Sequence, residues 1–511
     1  MQIHRLTRLF LLAMSLLLAG CASLREDYPR TSSVALADHG TTTLGKLLSP
    51  AADSHPGRSG FAIIRDGQAA FTARLALSEL AEKTLDLQYF IWEADESGRI
   101  LTQRLLQAAD RGVRVRVLVD DINVHGRDAL LAAMDAHPNI EIRLFNPFAN
   151  RGIPKLEFIL HFNRVNHRMH NKLFVADNSV AIVGGRNVGN HYFDVSTDAN
   201  FRDLDLAAGG PVVREASSVF DYFWNGKWAV PIGAVVDRSY TEAEMRSVFE
   251  TVAERIASDE FPYQVDQAVA DLKARLTEIT DDFIWARGWF VWDDPASIVA
   301  EGSTSTLLEN LHRRTDSLER EILVESPYFV PRDRAIEKMK ALTERGVRIR
   351  LLTNSLASND VLAAHAGYAD RRRQVVESGV ELYELRPDAA PIKKRIRVRS
   401  SKAALHAKVV VFDQKDVFVG SFNLDPRSSD INTEAGLYVE SPELAAQTVD
   451  FMDKGVRPDE SYRVLIDEDG DLYWLTEIDG REVRFDVEPE SSFWQRLWVG
   501  FIGLLPIEDQ L

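Results

Sequence analysis

Ala109-Asp110-Arg111-Gly112-Val113-Arg114-Val115-Arg116-Val117-Leu118 is answered 234 residues later by Thr343-Glu344-Arg345-Gly346-Val347-Arg348-Ile349-Arg350-Leu351-Leu352. A match of this length within one chain marks a duplicated unit, so the fold is read from one copy and doubled. Each copy follows a helical pattern, carried by Ile100, Leu101, Leu105 and Leu106 in the first and by Ile336, Met339 and Leu342 in the second. Gly112 and Gly346 then fall where a helix ends in a left-handed residue. The short β-branched runs after them suit strands buried on both faces. Strand-like segments also precede the helices, at residues 85–92 and 322–330. Strand, helix, strand is the order of α/β architecture, here predicted twice over.

Downstream of each copy lies a second matched set. His170-Asn171-Lys172 is followed by Asp177 and Gly184-Gly185-Arg186-Asn187, and His406-Ala407-Lys408 by Asp413 and Gly420-Ser421-Phe422-Asn423. From the histidine, the lysine is two residues on, the aspartate seven, the glycine fourteen and the asparagine seventeen in both sets. Residues two apart on a strand share a face, so each His and Lys should project together. The turns Asp177-Asn178-Ser179 and Asp413-Gln414-Lys415 then reverse the chain, and the next strand brings the glycine and asparagine back beside the pair. Gly184, Gly185, Gly420 and Ser421 are read as small residues that let a phosphate approach the backbone. Asp203 and Glu434 stand eight residues before Pro211 and Pro442, in register with each other. They are the expected carboxylates that orient the imidazoles and stabilise their cationic form.

Such a set suits a phosphodiester. One imidazole attacks phosphorus and makes a covalent intermediate, while the other protonates the leaving oxygen and later deprotonates the incoming nucleophile. Two lysines and two asparagines would hold the non-bridging oxygens as charge builds. One motif supplies half a site, so two copies in one chain should form a single shared site with pseudo-twofold symmetry. Candidate catalytic residues are therefore His170, Lys172, Asp177, Asn187, Asp203, His406, Lys408, Asp413, Asn423 and Glu434. Asp177 and Asp413 also suit structural turns, and Asn187 and Asn423 helix caps. A metal is the rival ligand for the His and Asp cluster, but an ammonium two residues from each histidine would repel a divalent ion. No metal and no cofactor are expected. His161, His167 and His191 lack a duplicate and read as ordinary satisfied polar residues.

The paired His-x-Lys-x4-Asp-x6-Gly-x-x-Asn sets resemble those of the phospholipase D superfamily, over about residues 60–440. The run Phe158-Ile159-Leu160-His161-Phe162-Asn163-Arg164-Val165-Asn166-His167-Arg168-Met169, the Gly184-Gly185-Arg186-Asn187 set and the closing Leu504-Leu505-Pro506-Ile507-Glu508 are similar to bacterial cardiolipin synthases of the C type. That resemblance implies tandem phospholipase D-like α/β domains, with mixed sheets flanked by helices. It also implies cardiolipin formation from phosphatidylglycerol and a second phospholipid, through a phosphohistidine on His170. A hydrolytic phospholipase D or a nuclease could use the same site with water, and a membrane-tethered scaffold would have one set broken. Both sets are intact. Gly185 stands where Ser421 stands in the second set, and Asp203 replaces the usual glutamate, so the halves should differ in nucleophilicity.

Composition narrows the partners. With 511 residues, 45% hydrophobic and 27% charged, the chain has a globular balance and material for two domains. A formal charge of −17 makes nucleic-acid binding unfavourable, since phosphate neutralisation needs a basic face. At the start, Arg5 and Arg8 precede an apolar run that closes in Leu18-Ala19-Gly20-Cys21. About a dozen apolar residues fall short of the roughly 20 that span a bilayer. The stretch resembles a bacterial lipoprotein signal ending at the chain's single cysteine, Cys21, which would carry the lipid anchor. In that resemblance Ala22, rather than an aspartate, implies the outer membrane facing the periplasm, with the inner membrane as the alternative.

The expected plan is a signal over residues 1–20, a tether over 21–56, a first phospholipase D-like domain over 57–231, a helical connecting segment over 232–300 that packs on both halves, a second such domain over 301–460 and a C-terminal extension over 461–511. Within the connector, Thr241-x-x-Glu244 predicts a capping box, with Met245, Val248, Phe249, Val252 and Ile256 on one stripe behind it. The basic run 393–399 reads as a solvated face or as a strip for anionic headgroups. The tail, 493–505, is too short to span a membrane; its tryptophans suit an interface, and a core helix is the other reading. The partners expected are phospholipid substrates and a membrane surface.

Overall fold

Gly112 and Gly346 take φ of +93° and +84°, ending the helices Glu96–Asp110 and Asp333–Glu344 with a left-handed residue. The amides of Val113 and Val347 reach back to the carbonyls of Ala108 and Leu342, closing the same helix stop in both copies. The computed structural model describes residues 25, 27–124, 126–152, 157–158, 161–258, 261–296, 305–389 and 402–503. The signal at 1–20, Cys21, the basic run 393–399 and 504–508 lie outside the described residues.

The first half supplies β1 (Ser59–Ile64), β2 (Thr84–Tyr89), β3 (Arg114–Asp120), β4 (Ile140–Phe145), β5 (Leu173–Ala176), β6 (Val180–Gly184), β7 (Ala199–Arg202), β8 (Asp205–Gly209) and β9 (Ala229–Pro231). The second supplies β10 (Ile284–Trp292), β11 (Glu321–Glu325), β12 (Arg348–Asn354), β13 (Glu381–Leu385), β14 (Lys402–Leu405), β15 (Val409–Phe412), β16 (Asp416–Gly420), β17 (Ala435–Glu440) and β18 (Ser461–Ile466). The first half pairs in the order β9-β4-β3-β2-β5-β6-β8-β1. The second runs β18-β13-β12-β11-β15-β16-β17-β10. These are the same order, strand for strand. β1 and β10 pair antiparallel with each other, which joins the two into one mixed sheet flanked by helices.

The strand runs are less apolar than expected. Arg116, between Val115 and Val117 on β3, is buried against Asp86 at 2.6 Å and Asp221 at 2.8 Å, with its guanidinium over the Phe220 ring. On β3 Arg116 therefore points under the helix Pro211–Asn225, where Leu118 on the same face joins the buried cluster of Phe220 and Trp224, while the valines face the other core.

Residues 232–300 differ from the expected helical connector. The capping box forms, with Thr241 N–H donating to Glu244 at 2.8 Å, and Met245 and Phe249 are buried. However, the helices Glu242–Ser258 and Val265–Ala274 pack on helices of the first half, and Ile284–Trp292 is the strand that joins the sheets. Its alternation is interrupted by Gly288, where a Cβ would lie 2.5 Å from the Phe61 ring, which hides a strand from a reading by period.

One buried cluster draws on both halves: Phe61, Val183, Leu206 and Phe220 pack with Val409, Val419, Leu437 and Leu444. Separating the halves would expose this core, so the two motif regions are held in a fixed relation.

Candidate active site

His170 and Lys172 lead into β5, and His406 and Lys408 lead into β15. Both lysines turn back on their own histidine: Lys172 Nζ donates to the His170 carbonyl at 2.5 Å and Lys408 Nζ to the His406 carbonyl at 2.7 Å. The residue before each histidine is clamped from the end of the central strand. Asp120, closing β3, accepts the Met169 N–H at 2.9 Å. Asn354, closing β12, accepts the Leu405 N–H at 2.7 Å and donates to its carbonyl at 2.9 Å.

The halves then exchange backbone. β14 pairs in parallel with β7, and the His406 N–H donates to the Arg202 carbonyl at 2.9 Å. In the mirror position Met169 bridges Thr433, and the His170 N–H donates to the Thr433 carbonyl at 2.9 Å. The carboxylate following each carbonyl thus faces the other half's imidazole. His170 Nδ1 meets the Glu434 oxygens at 3.0 and 2.9 Å, and His406 Nδ1 meets Asp203 Oδ2 at 2.7 Å. An Nδ1–H given to a carboxylate leaves Nε2 with its lone pair, the form a nucleophile or base requires.

The two pairs differ in their second contacts. Glu434 also accepts from the hydroxyls of Ser421 and Ser428, the latter at 2.7 Å. Asp203 accepts the Leu204 N–H at 2.7 Å, and beside it stands Gly185, where a Cβ would lie 2.2 Å from Asp203 Oδ1. A side chain at position 185 would require the Asp203 carboxylate to move. The Gly-Asp and Ser-Glu combinations are two solutions to one space.

Burial governs the electrostatics. It pushes the His170 imidazole well below its usual range, helped by the charges of Lys172 and Lys408. His406 is held down to about 4 by burial and by Lys408, against the pull of Asp203. Each lysine acts on the imidazole of the other motif, which brings the two sets into one field. Burial pushes the Glu434 carboxyl up to about 7, despite Lys172 and the two serine hydroxyls. For Asp203 burial acts in the same direction, but the hydrogen bond and charge of His406, with Arg186, outweigh it and hold the carboxyl down to about 2. Lys408 is brought down to about 8 by burial. Two carboxylates displaced in opposite directions give the two histidines different proton affinities, as an acid and a nucleophile need.

Several expected site residues do other work. Asp177 accepts the backbone amides of Glu82, Lys83 and Thr84 at 3.0, 2.8 and 2.9 Å. Asp413 accepts those of Glu319, Arg320 and Glu321 at 3.0, 2.8 and 2.9 Å. Both carboxylates are spent on the loops leading into β2 and β11, so the aspartate of each motif is a structural clamp and not a catalytic group. The turns are of type I′, with φ of +51° and +49° at Asp177 and Asn178 and +51° and +56° at Asp413 and Gln414. Asn187 spends its amide on the Ile91 N–H at 3.1 Å and the Tyr192 hydroxyl at 3.0 Å. Asn423 Oδ1 is buried without a partner among the described residues.

The glycines allow close packing within the protein. A Cβ at Gly184 would lie 2.1 Å from Asp205 Oδ1, and one at Gly420 2.5 Å from the Ala435 carbonyl. The close approach is between β6 and β8, and between β16 and β17.

Other residues at the site carried no sequence motif. Phe90 meets His170 edge-on at 4.8 Å, and Tyr192 and Phe201 pack against His406 at 5.1 and 4.9 Å. Ser428 and Tyr192 stand the same 236 residues apart as the histidines, so the duplication offset would have found them. Asp120 and Asn354 share the 234-residue offset of the glycines, the sequence signal that marks them. Among the described residues no cluster of His, Cys, Asp and Glu could hold a metal ion.

Fold and site together define a phospholipase D-type enzyme built on two repeats in one chain. The family described as "Cardiolipin synthase, PLD-like domain" matches residues 76–224 and 311–454, and the chain belongs to it. Among its relatives, cardiolipin synthase C of Escherichia coli strain K12 is 40% identical over 470 residues, 91% of this chain and 99% of that protein. Cardiolipin synthase A of Pseudomonas putida strain W619 is 27% identical over 402 residues, 76% of this chain and 68% of that one. The crystal structure of phosphatidylserine synthase from Haemophilus influenzae Rd KW20 shares the fold, with a TM-score of 0.55 and 15% identity over 80% of this chain and 90% of that one.

Proposed function

We propose that the protein is a phosphatidyl transferase that forms cardiolipin. The observation that carries this reading is the crosswise pairing of two buried histidines with Glu434 and Asp203 beside two buried lysines. His170 Nε2 attacks the phosphorus of a phosphatidylglycerol, the phosphorus–oxygen bond to the headgroup breaks, and His406 gives its proton to the departing glycerol. The headgroup hydroxyl of a second phosphatidylglycerol then attacks the phosphohistidine, its proton returns to His406, and the phosphorus–nitrogen bond breaks to release cardiolipin. Phosphatidylethanolamine can act as the donor in the same scheme, with ethanolamine leaving. Lys172, Lys408 and Asn423 bind the non-bridging oxygens, where preorganised donors stabilise the developing charge. An anionic phosphodiester between the imidazoles offsets the lysine charges and lets one of them take up the proton it must give.

Sequence supports an acyl anchor at Cys21 and a place at the outer membrane facing the periplasm, with the inner membrane as the alternative. Among the described residues no helix is long and apolar enough to cross a membrane. Loss of fatty-acid labelling in Cys21→Ser, with fractionation of the two membranes, checks both points.

The deciding experiment incubates the purified protein, with a chelator present, with labelled phosphatidylglycerol alone and with phosphatidylethanolamine. Cardiolipin is the expected product. Phosphatidic acid would make it a hydrolase, absence of turnover a scaffold, and activity lost to the chelator a metal enzyme.

A further inference from the structure

The C-terminal helix Phe493–Gly503 is built to stay in place. Ser492 and Gln495 cap it reciprocally, at 2.8 and 3.2 Å, and Arg496 is tied to the Ser491 carbonyl and hydroxyl at 2.8 and 2.9 Å. The segment leading into it is pinned by Glu488, which accepts from Arg372 at 2.6 Å and meets His365 Nε2 at 3.0 Å. Val499 is buried against Leu356 and Ala366, with Ile502 and Ala369 packed beside them. That contact fixes which side of the helix faces outward.

The outward side is apolar. Phe493, Trp494, Leu497, Trp498 and Phe501 form one stripe and are 64, 66, 51, 58 and 54% exposed. A stripe of five large apolar residues on a docked helix is far from the scattered exposure of an ordinary surface. At eleven residues the helix is about 16 Å long, against roughly 30 Å of bilayer core, so it can lie in an interface but not cross it.

Charge selects the occupant. Residues 491–503 carry one arginine and no carboxylate, in a chain whose formal charge is −17. The helix carries no carboxylate of its own, with Asp370 beside its Gly503 end; an apolar stripe without negative charge suits an anionic lipid face, and phenylalanine and tryptophan suit the headgroup boundary. The chain beneath the helix leads to the active site. Leu356, under the helix, is two residues beyond Asn354, which grips the residue before His406. Val361 and Leu362 follow, 41 and 40% exposed, beside Asp360, whose charge acts on Lys408.

We propose that the helix Phe493–Gly503 docks the enzyme body on an anionic bilayer, with its aromatic stripe in the headgroup boundary and the site mouth turned to the same surface. This rests on the reading that the substrate is a bilayer phospholipid. Substrate would then reach the buried histidines along the Val361–Leu362 edge.

The test compares the full chain with Trp494→Ser/Trp498→Ser, each mixed with vesicles of phosphatidylglycerol and phosphatidylcholine, with and without brominated acyl chains. Turnover is measured on those vesicles and on dihexanoyl-phosphatidylglycerol held below its micelle concentration. The wild-type indole emission is expected to be quenched by the brominated chains and that of the variant spared. Turnover on vesicles should fall about tenfold in the variant, while turnover of the monomeric lipid is unchanged. Leu497→Glu, which sets a carboxylate in the stripe, should reproduce the split. Unquenched wild-type emission, or variant turnover on vesicles equal to wild type, would overturn the proposal. Equal loss on both substrates would also overturn it, because the helix would then serve the fold. If the variant alters self-association and leaves quenching untouched, the face joins two copies of the chain and the proposal is wrong. Should the wild type turn over neither lipid, the transferase reading fails, and quenching still decides the docking.

Discussion

Glu434 belongs to the second repeat, and the imidazole that it holds, at 2.9 Å, is that of His170 in the first. The reciprocal bond, His406 to Asp203, crosses in the other direction at 2.7 Å. Neither half contains a complete catalytic pair, so the chemistry is a property of the joint between them.

Crossed pairing makes a definite prediction for double mutants. Glu434→Gln should lower turnover by roughly 10² to 10⁴-fold, the range for removing a carboxylate that orients a catalytic imidazole. Combined with His170→Asn it should add little further loss, because the two act as a unit. Measured turnover of the four proteins in that cycle checks the point, and full additivity would separate Glu434 from His170.

A covalent intermediate should be trappable. Rapid acid-free quenching of the wild type with phosphatidylglycerol labelled in its diacylglycerol part should leave label on the protein, and His170→Asn should carry none. Label retained in His170→Asn and lost in His406→Asn would exchange the two roles.

Lys408 and Lys172, both pushed down by burial, set the alkaline limit. Burial has brought the Lys408 ammonium down to about 8, so kcat/KM, which reports the free enzyme, should fall as pH rises through that value and the charge on the phosphate site is lost. In Lys408→Arg the group stays protonated and the alkaline limb should move upward, whatever the maximal rate. A limb unmoved in that variant would assign it to another group.

Glu434 also links pH to stability. Its folded carboxyl is raised to about 7 from an ordinary 4.5, so the unfolded state is the stronger acid. Its contribution is fully present below 4.5 and is lost as pH climbs through 7. Glu434→Gln cannot ionise, so its thermal midpoint relative to wild type should rise between pH 5 and 8 on the scale of that shift. Parallel pH profiles of the two proteins would contradict the assignment.

Asp177 and Asp413 should behave as clamps. Removing one, as in Asp177→Ala, leaves three backbone amides without their carboxylate and should cost about 3 kcal/mol in urea unfolding, at typical values for charge-assisted bonds. Turnover per folded molecule should stay within a fewfold of wild type. A large loss of turnover in protein of unchanged stability would return the aspartate to the catalytic set.

Much of this was legible in the chain. The duplicated spacing of His170 and His406 marked both histidines, both lysines and the hairpins after them, because turn chemistry acts over a few residues and is written locally; the His and Lys stand just before β5 and β15 and not on them, so strand period does not orient them. Asp203 and Glu434 were found only by their register to Pro211 and Pro442, since Asp203 follows Asn187 by sixteen residues and Glu434 follows Asn423 by eleven. Other residues were misread for a physical reason: Asp177 and Gly184 look the same whether their neighbour is a substrate or the protein's own backbone. Strand Ile284–Trp292 is hidden within an expected helical connector because Gly288 interrupts its alternation.

The sequence by itself determined the repeat, the identity of the reacting groups and their spacing along the chain, all set by covalent distance and backbone geometry. Which carboxylate serves which histidine was decided only when β14 lay beside β7 and Met169 bridged Thr433. The burial that lowers the imidazoles and raises Glu434 arose at the same step. Both depend on one shared core closing over residues more than two hundred positions apart, and no local pattern in the chain can encode that field.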